Sequence, residues 1–162
     1  MGFALRLAVP ADAPGLARMR WEFRAAMAPP GEYEAAFLER CAAWMAPRLE
    51  PGGPWRCWLA ESDSLPAGQL WLQLIEKIPN PGPELEYHAY ITNVFVRPEH
   101  RGAGLGEELV AAALSFCRAQ RVDSVVLWPT AGSRTLYARH GFAVRTDLME
   151  AILDDSREST IH

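Results

Sequence analysis

Between positions 94 and 107 the chain reads Val94-Phe95-Val96-Arg97-Pro98-Glu99-His100-Arg101-Gly102-Ala103-Gly104-Leu105-Gly106-Glu107. An apolar, β-forming run stops at a proline, three glycines alternate, and a helical pattern begins. Glycines at Gly102, Gly104 and Gly106 let the backbone turn tightly and approach a ligand with no Cβ in the way. The first amides of a helix have no partner inside it. Together with the helix dipole they attract an anion, and Arg101 adds a positive charge. The chemistry this suits is a grip on a pyrophosphate. Two rival phosphate loops fit less well. A dinucleotide fingerprint needs its third glycine one residue later, and a P-loop needs a Gly-Lys pair, which the chain lacks.

The elements that must position this loop follow from periodicity. Residues 3–9 read as a first strand, then Pro10 and Asp12 mark a helix start, with Asp12 as a possible cap. Leu16, Met19, Phe23 and Met27 recur at helical spacing, which predicts a helix over 12–27 ended by Pro29-Pro30-Gly31. A second helix is predicted over 33–45, burying Phe37, Leu38, Cys41 and Trp44 and closed by Pro47 and the 51–54 Pro/Gly run. Strands are predicted over 55–61, 68–78 and 85–96, the last apolar enough near 91–96 to be central. A helix over 104–120 carries the stripe Leu105, Leu109, Ala112, Ala113 and Phe116. Further on come a strand over 124–128, a short helix over 133–140 capped by Gly141, and a sixth strand over 142–152. The alternation predicts an α/β fold with a mixed sheet. It forms a single domain over 1–153, followed by a loose polar tail, 154–162.

Arg101, Gly104 and Gly106 match the [Arg/Gln]-x-x-Gly-x-[Gly/Ala] signature of the GNAT acyltransferase superfamily, and 136–142, Leu-Tyr-Ala-Arg-His-Gly-Phe, is similar to that family's "LYxxxGF" segment. The strand before Pro98 and the opening around Pro10-Ala11-Asp12-Ala13 resemble it too, so the likeness spans about 3–150. It implies a splayed central sheet of about six to seven strands with flanking helices. It also implies acetyl-CoA as cofactor, with N-acetyl transfer by direct attack of an amine on the thioester. Val94, Phe95 and Val96 would then offer backbone to the pantetheine arm. Arg101, Gly102, Ala103, Gly104, Leu105 and Gly106 would hold the pyrophosphate, and Ser133 could either cap its helix or contact the cofactor. Tyr137 matches the family's common general acid toward the CoA sulfur. A phenol is a poor acid at neutral pH, but a thiolate needs only modest help. Thr130 stands where many members carry Asn. A homodimer is a further expectation from the resemblance.

The base is open on residue grounds. Strict alternation puts Glu86, His88 and Tyr90 on one face of their strand, and Tyr87, Ala89, Ile91 and Asn93 on the other. His88, as an imidazole, could relay a proton. Glu86 could do so if buried, and a water chain without one dominant base is the third option. A bulge would reassign the faces. Candidates for the acceptor pocket are Trp21, Tyr33, Tyr87 and Asn93, with Phe23 and Glu84 behind them. A small-molecule amine and a peptide amine both remain open as acceptors. The alternative function is a non-catalytic acyl-CoA-binding sensor, which would need neither Tyr137 nor a base.

Composition narrows the partners. A net charge of −4 weighs against nucleic acid, whose phosphates need a concentrated basic surface. Cys41, Cys57 and Cys117 are odd in number and widely spaced, so neither a disulfide framework nor a zinc cluster is indicated. Free thiols fit a cytoplasmic location. The N-terminal residues show no signal peptide. No apolar run approaches the ~20 residues of a membrane span, so no membrane partner is expected, and no metal site has the spacing for one.

Overall fold

The computed structural model describes residues 2–154. Five strands form one mixed sheet in chain order: β1 (Phe3–Leu7), β2 (Trp55–Ser62), β3 (Leu65–Glu76), β4 (Tyr87–Val96) and β5 (Val122–Val126). The first four are antiparallel neighbours, and β5 runs parallel to β4. Helices α1 (Ala13–Ala25) and α2 (Glu34–Arg48) cover one face. Helix α3 (Leu105–Ala119) covers the other, with the short α4 (Arg134–Arg139) beside it.

Period-two alternation decides which face each residue joins. On β2, Trp58 and Ala60 pack toward α3 while Cys57 and Leu59 pack toward α1 and α2. On β3, Leu70 and Leu72 take the α3 side and Trp71 the other. Both strands are therefore buried on both faces, as central strands must be. Each fully buried Leu or Ile contributes about 1.5–3 kcal/mol, and Leu16, Leu59, Leu70, Leu72, Ile91, Leu105 and Leu109 all fall in that class. The β2–β3 hairpin closes with Asp63 and Ser64, both at positive φ (51° and 63°). That is the primed geometry a two-residue hairpin prefers, here made without glycine.

Several boundaries differ from the sequence reading. The α1 segment opens with a 3-10 turn, Pro10–Asp12. Asp12 does not cap α1 through its side chain. Instead it accepts from the Val9 amide at 2.7 Å and forks onto Arg6. Helix α2 runs past Pro47 to Arg48, because a proline in the last turn loses only one hydrogen bond near the helix end. The expected strand over 142–152 is absent, so the sheet has five strands among the described residues, not six to seven. A strand exists only through its ladder, and this segment finds no partner. The chain bends at Thr146-Asp147, where Arg145 pairs locally with Asp147 at 2.8 Å, leaving Val144, Leu148 and Met149 exposed. Most of the expected tail, 155–162, lies outside the described residues.

Candidate active site

The seam between β4 and β5 is zipped only at one end. Tyr87 to Tyr90 pair with β5; beyond Tyr90, β4 pairs only with β3. The strands part there, and a cleft of about 600 Å³ opens between them. Its walls include Val94, Phe95 and Val96 of β4, Arg101, Gly102, Gly104, Leu105 and Gly106 of the glycine loop, and Leu136 and Tyr137 of α4. Strand backbone that no other strand pairs can accept an extended ligand as one more strand.

The shape of β4 comes from a bulge. Phe95 sits opposite Gln69 and Thr92 opposite Trp71, so three steps on β4 match two on β3. The extra residue falls at Asn93–Val94, and Asn93 takes φ +54°, a conformation asparagine tolerates better than most side chains. The bulge reverses the alternation. Ala89 and Ile91 join the α3-side core, yet Phe95 joins the α1/α2 side while Val94 and Val96 turn toward α3. The strict faces expected from sequence therefore hold only up to the bulge.

The loop is latched at both ends. Arg97 forks onto Glu22 of α1 at 2.9 Å through each of two nitrogens and donates to Pro66 O at 2.7 Å. Arg101 Nε donates to Val96 O at 2.9 Å. Gly102 and Gly104 take φ +82° and +83°, with open space where a Cβ would stand. Gly104 is the N-cap of α3, and no side chain caps that helix. Its first amides thus face the cleft with their usual positive end. Gly106 has a packing role: Leu136 Cδ2 lies 3.4 Å from where its Cβ would be, so α4 can approach α3. Glu107 then ties to Arg139 at 2.7 Å (Nε) and to His140.

The 136–142 segment owes its pattern to a helix end. Phe142 N donates to Tyr137 O at 3.1 Å and Gly141 N to Ala138 O at 3.1 Å, with Gly141 at φ +89°. This is a complete Schellman motif, including the ring contact between Tyr137 and Phe142 at 5.7 Å that commonly accompanies it. The motif fixes Tyr137 in the cleft wall at 7% exposure. Its phenol makes no hydrogen bond within the described chain, and burial pushes its pKa up to about 12. A buried hydroxyl left unpaired is uncommon; one facing a cleft is placed for a ligand. Together with the open glycine turn and the unpaired β4 backbone, it makes the residues present fit a pyrophosphate-bearing thioester.

Other expected residues fall elsewhere. Ser133 lines the cleft, but its hydroxyl is engaged locally. It accepts from Thr130 N and Oγ1 at 2.9 Å each and donates to Thr130 O at 3.1 Å, and it does not cap α4. Ala103 is exposed beside the cleft rather than in its lining. His88 and Glu86 do not reach the cleft. His88 lies in the zipped part of the seam, its Nδ1 2.7 Å from Asp123 Oδ1 and 2.8 Å from Ser124 Oγ, and Glu86 is exposed before the strand begins. Trp21 stacks on Phe37 at 5.6 Å and, with the 89% exposed Tyr33, borders an open surface depression. Tyr87 pairs with Val122 at the closed end of the seam. Phe23 lines the cleft, and Glu84 pairs with Lys77.

Asn93 does reach the site, and it leads to a second cavity. A pocket of about 280 Å³ adjoins the cleft at Thr92 and Asn93 and is walled by Arg20, Phe37, Cys41, Trp44, Trp55 and Trp71. Gln69, wholly buried, holds Trp71 by accepting its indole N–H at 3.0 Å and ties α1 by donating to Leu16 O at 3.2 Å. Sequence reading missed this wall apart from Asn93. The available signal was Arg20, a charge four residues after Leu16 and three before Phe23, on the buried stripe of α1. Among the described residues no group of three His, Cys, Asp or Glu could hold a metal ion, and no helix is long and apolar enough to cross a membrane.

Comparisons with known proteins agree with this geometry. No curated protein sequence matches the chain. The chain resembles a GCN5-related N-acetyltransferase from Ralstonia eutropha, with 28% identity, a TM-score of 0.76, and coverage of 93% of this chain and 99% of that one. It shares its fold with a predicted acetyltransferase from Clostridium acetobutylicum solved with acetyl-CoA (18% identity, TM-score 0.73, 94% and 97% covered). The fold is also that of glucosamine-6-phosphate N-acetyltransferase from Arabidopsis thaliana (17%, 0.67, 95% and 100%). The model of the acetyltransferase (GNAT) family matches residues 16–142, and the chain, with its glycine loop, splayed seam and buried cleft tyrosine, belongs to that family.

Proposed function

We propose that this protein transfers an acetyl group from acetyl-CoA to an amine by direct attack of the amine on the thioester. The observation that carries the reading is the unpaired, buried phenol of Tyr137 in a cleft whose far end is the open glycine turn. Acetyl-CoA, when bound, supplies an activated acetyl thioester. The amides at the start of α3, with Arg101, hold its pyrophosphate. The side of the Val94–Val96 backbone turned away from β3, where Val96 O already accepts from Arg101, orients its arm, and an N–H there can polarise a carbonyl oxygen. Tyr137 keeps its proton at Oη throughout the neutral range. Its raised pKa makes complete proton transfer to a thiolate near 8.5 uphill by about 5 kcal/mol. Its role is therefore a hydrogen bond donated to the sulfur as charge develops there; the C–S bond breaks to release a thiolate that takes its proton from water, and Tyr137 keeps its own. With Glu86 and His88 outside the cleft, the amine's proton leaves through water. A sensor that only binds acyl-CoA has no use for a buried, unpaired phenol at this place. A homodimer belongs to the same proposal, supported by the edge position of β5 among the described residues and the exposed Val144 and Leu148 near it.

The test is thermal unfolding with acetyl-CoA, CoA, NAD and ATP. A ligand at about 100 times its Kd adds about 2.7 kcal/mol. A rise with the two CoA forms alone, followed by thiol release with an amine, is expected. A rise with ATP or NAD instead would overturn the reading.

A further inference from the structure

The pocket behind Asn93 has a chemistry of its own. Its charged lining is Arg20 and Arg40; no Asp or Glu contributes. Arg40 sits at the rim, ion-paired with Glu32 and stacked over Phe37. Arg20 differs. It is half-buried on the inner stripe of α1, its one hydrogen bond is NH1 to Asn93 Oδ1 at 3.2 Å, and no carboxylate in the described chain pairs with it. Its other contact is the ring of Phe23, 5.8 Å from its guanidinium carbon. A guanidinium has five donors in a planar fork that suits a carboxylate, so most of its capacity is unspent. Buried charge without a counter-charge is costly, and such a cost is expected where a ligand supplies the missing partner.

The remaining wall is largely aromatic, its rings set edge to face or tilted. Trp44, Trp55 and Trp71 meet in pairs at 5.3–6.1 Å. The Trp71 N–H is already committed to Gln69. The outer face of Trp44 is covered by Arg48, 3.9 Å from its ring centre. An aromatic cage can attract a bare cation, but here Arg20 and Arg40 line the same pocket, and an amine without an anion would meet like charge. The cavity, about 280 Å³, is at the small end of ligand sites and suits a single compact molecule.

Resting on the acetyltransferase reading, we propose that the acceptor is a small amine that also carries a carboxylate and a flat apolar body, of the aromatic α-amino acid class. Arg20 binds the carboxylate and the tryptophans enclose the body. The amine is left at Thr92 and Asn93, where this pocket meets the cleft. A peptide N-terminus lacks the carboxylate and would leave Arg20 without its partner.

Calorimetric titration with two half-ligands, on the free protein and on protein given CoA, tests this. 3-Phenylpropionate keeps ring and carboxylate; phenethylamine keeps ring and amine. We expect 3-phenylpropionate to bind at least about tenfold more tightly, the worth of a charge-assisted pair. Arg20→Met should remove that preference, Arg20→Lys should retain part of it, and CoA affinity should stay within about twofold in both. Equal binding of the two, a preference for phenethylamine, or no binding of 3-phenylpropionate would each overturn the proposal. Should Arg20→Met fail to fold, the wild-type preference and the Lys variant decide. CoA binding without carboxylate preference sinks only this inference. Loss of CoA binding in the wild type sinks the acetyltransferase reading, while the free-protein titration still judges Arg20.

Discussion

The two cavities that meet at Asn93 are built on opposite principles. On the proposed reading, the cleft would hold its ligand mainly with backbone: the side of β4 turned away from β3, the amides at the start of α3, and a turn whose glycines leave space rather than fill it. The neighbouring pocket is made of side chains: Arg20 of α1, aromatics of α2, β2 and β3, and Thr92 and Asn93 of β4. Backbone recognition tolerates sequence change as long as conformation is kept, so it suits a donor shared by many enzymes. Side-chain recognition changes with one substitution, so it suits an acceptor that differs between them. The split also explains how one fold can keep its donor while varying its acceptor.

The largest expected break falls on the backbone half. Gly104→Glu puts a carboxylate where the proposed reading places phosphate, and at φ +83° it also strains the turn. CoA affinity should fall about a hundredfold or more, with acceptor binding unchanged; calorimetry on both ligands checks this. Unchanged CoA affinity would remove the loop from the site. Next in size, Tyr137→Phe should lower kcat about tenfold or more with little change in CoA affinity, read by thiol release under saturating substrates. Wild-type turnover in that variant would end its role as hydrogen-bond donor.

The side-chain half is probed by Gln69→Leu. The buried Trp71 N–H would lose its acceptor, at about 2 kcal/mol. That lowers Tm by about 5 °C and raises the acceptor KM several-fold, with CoA affinity held. An equal loss in both affinities would mean that the two halves are not separable.

Alkaline pH acts on both sides of the sheet, because burial also raises the Cys57 and Cys41 thiols on the α1/α2 side. Burial raises Cys117 from 9.0 to about 11 and Tyr137 from 10.0 to about 12, both on the α3 side of the sheet. A folded-state pKa above the unfolded value gives stability that is complete below the unfolded value and lost as pH rises through the folded one. The urea midpoint should therefore hold to about pH 9 and decline through pH 9–12, and Cys117→Ala should flatten the early part, by about 2 kcal/mol at most. A midpoint independent of pH across that window would contradict the burial of both groups. The smallest effect expected is for His88→Ala and Glu86→Gln. Turnover should stay within about twofold, because neither side chain reaches the cleft; a larger loss in kcat with a displaced pH profile would restore one of them as base.

Local chemistry was enough to read the backbone half from sequence. Arg101 to Gly106 encode their turn through glycine dihedrals and a helix start, and 136–142 encode a Schellman end through Gly141 and the Tyr137–Phe142 contact. In both, local dihedrals and hydrogen bonds set the turn within a few positions, and long-range ties such as Arg97–Glu22 and Glu107–Arg139 then fix where it sits. The expected sixth strand failed for the converse reason: apolar spacing over 142–152 offers a face, but only a partner strand makes a ladder.

What the sequence alone determined, then, is the glycine turn before α3, the helix end that holds Tyr137, and the α/β alternation that sets them side by side. Only the tertiary structure decided where β4 reverses its faces, because a bulge at Asn93 depends on pairing with β3 rather than on any local preference. That one inserted residue places Asn93 between the two cavities. The zipped start of the β4–β5 seam holds His88 away from the cleft. Arg20 faces a pocket whose walls come from five elements, and no spacing along the chain records where five elements converge.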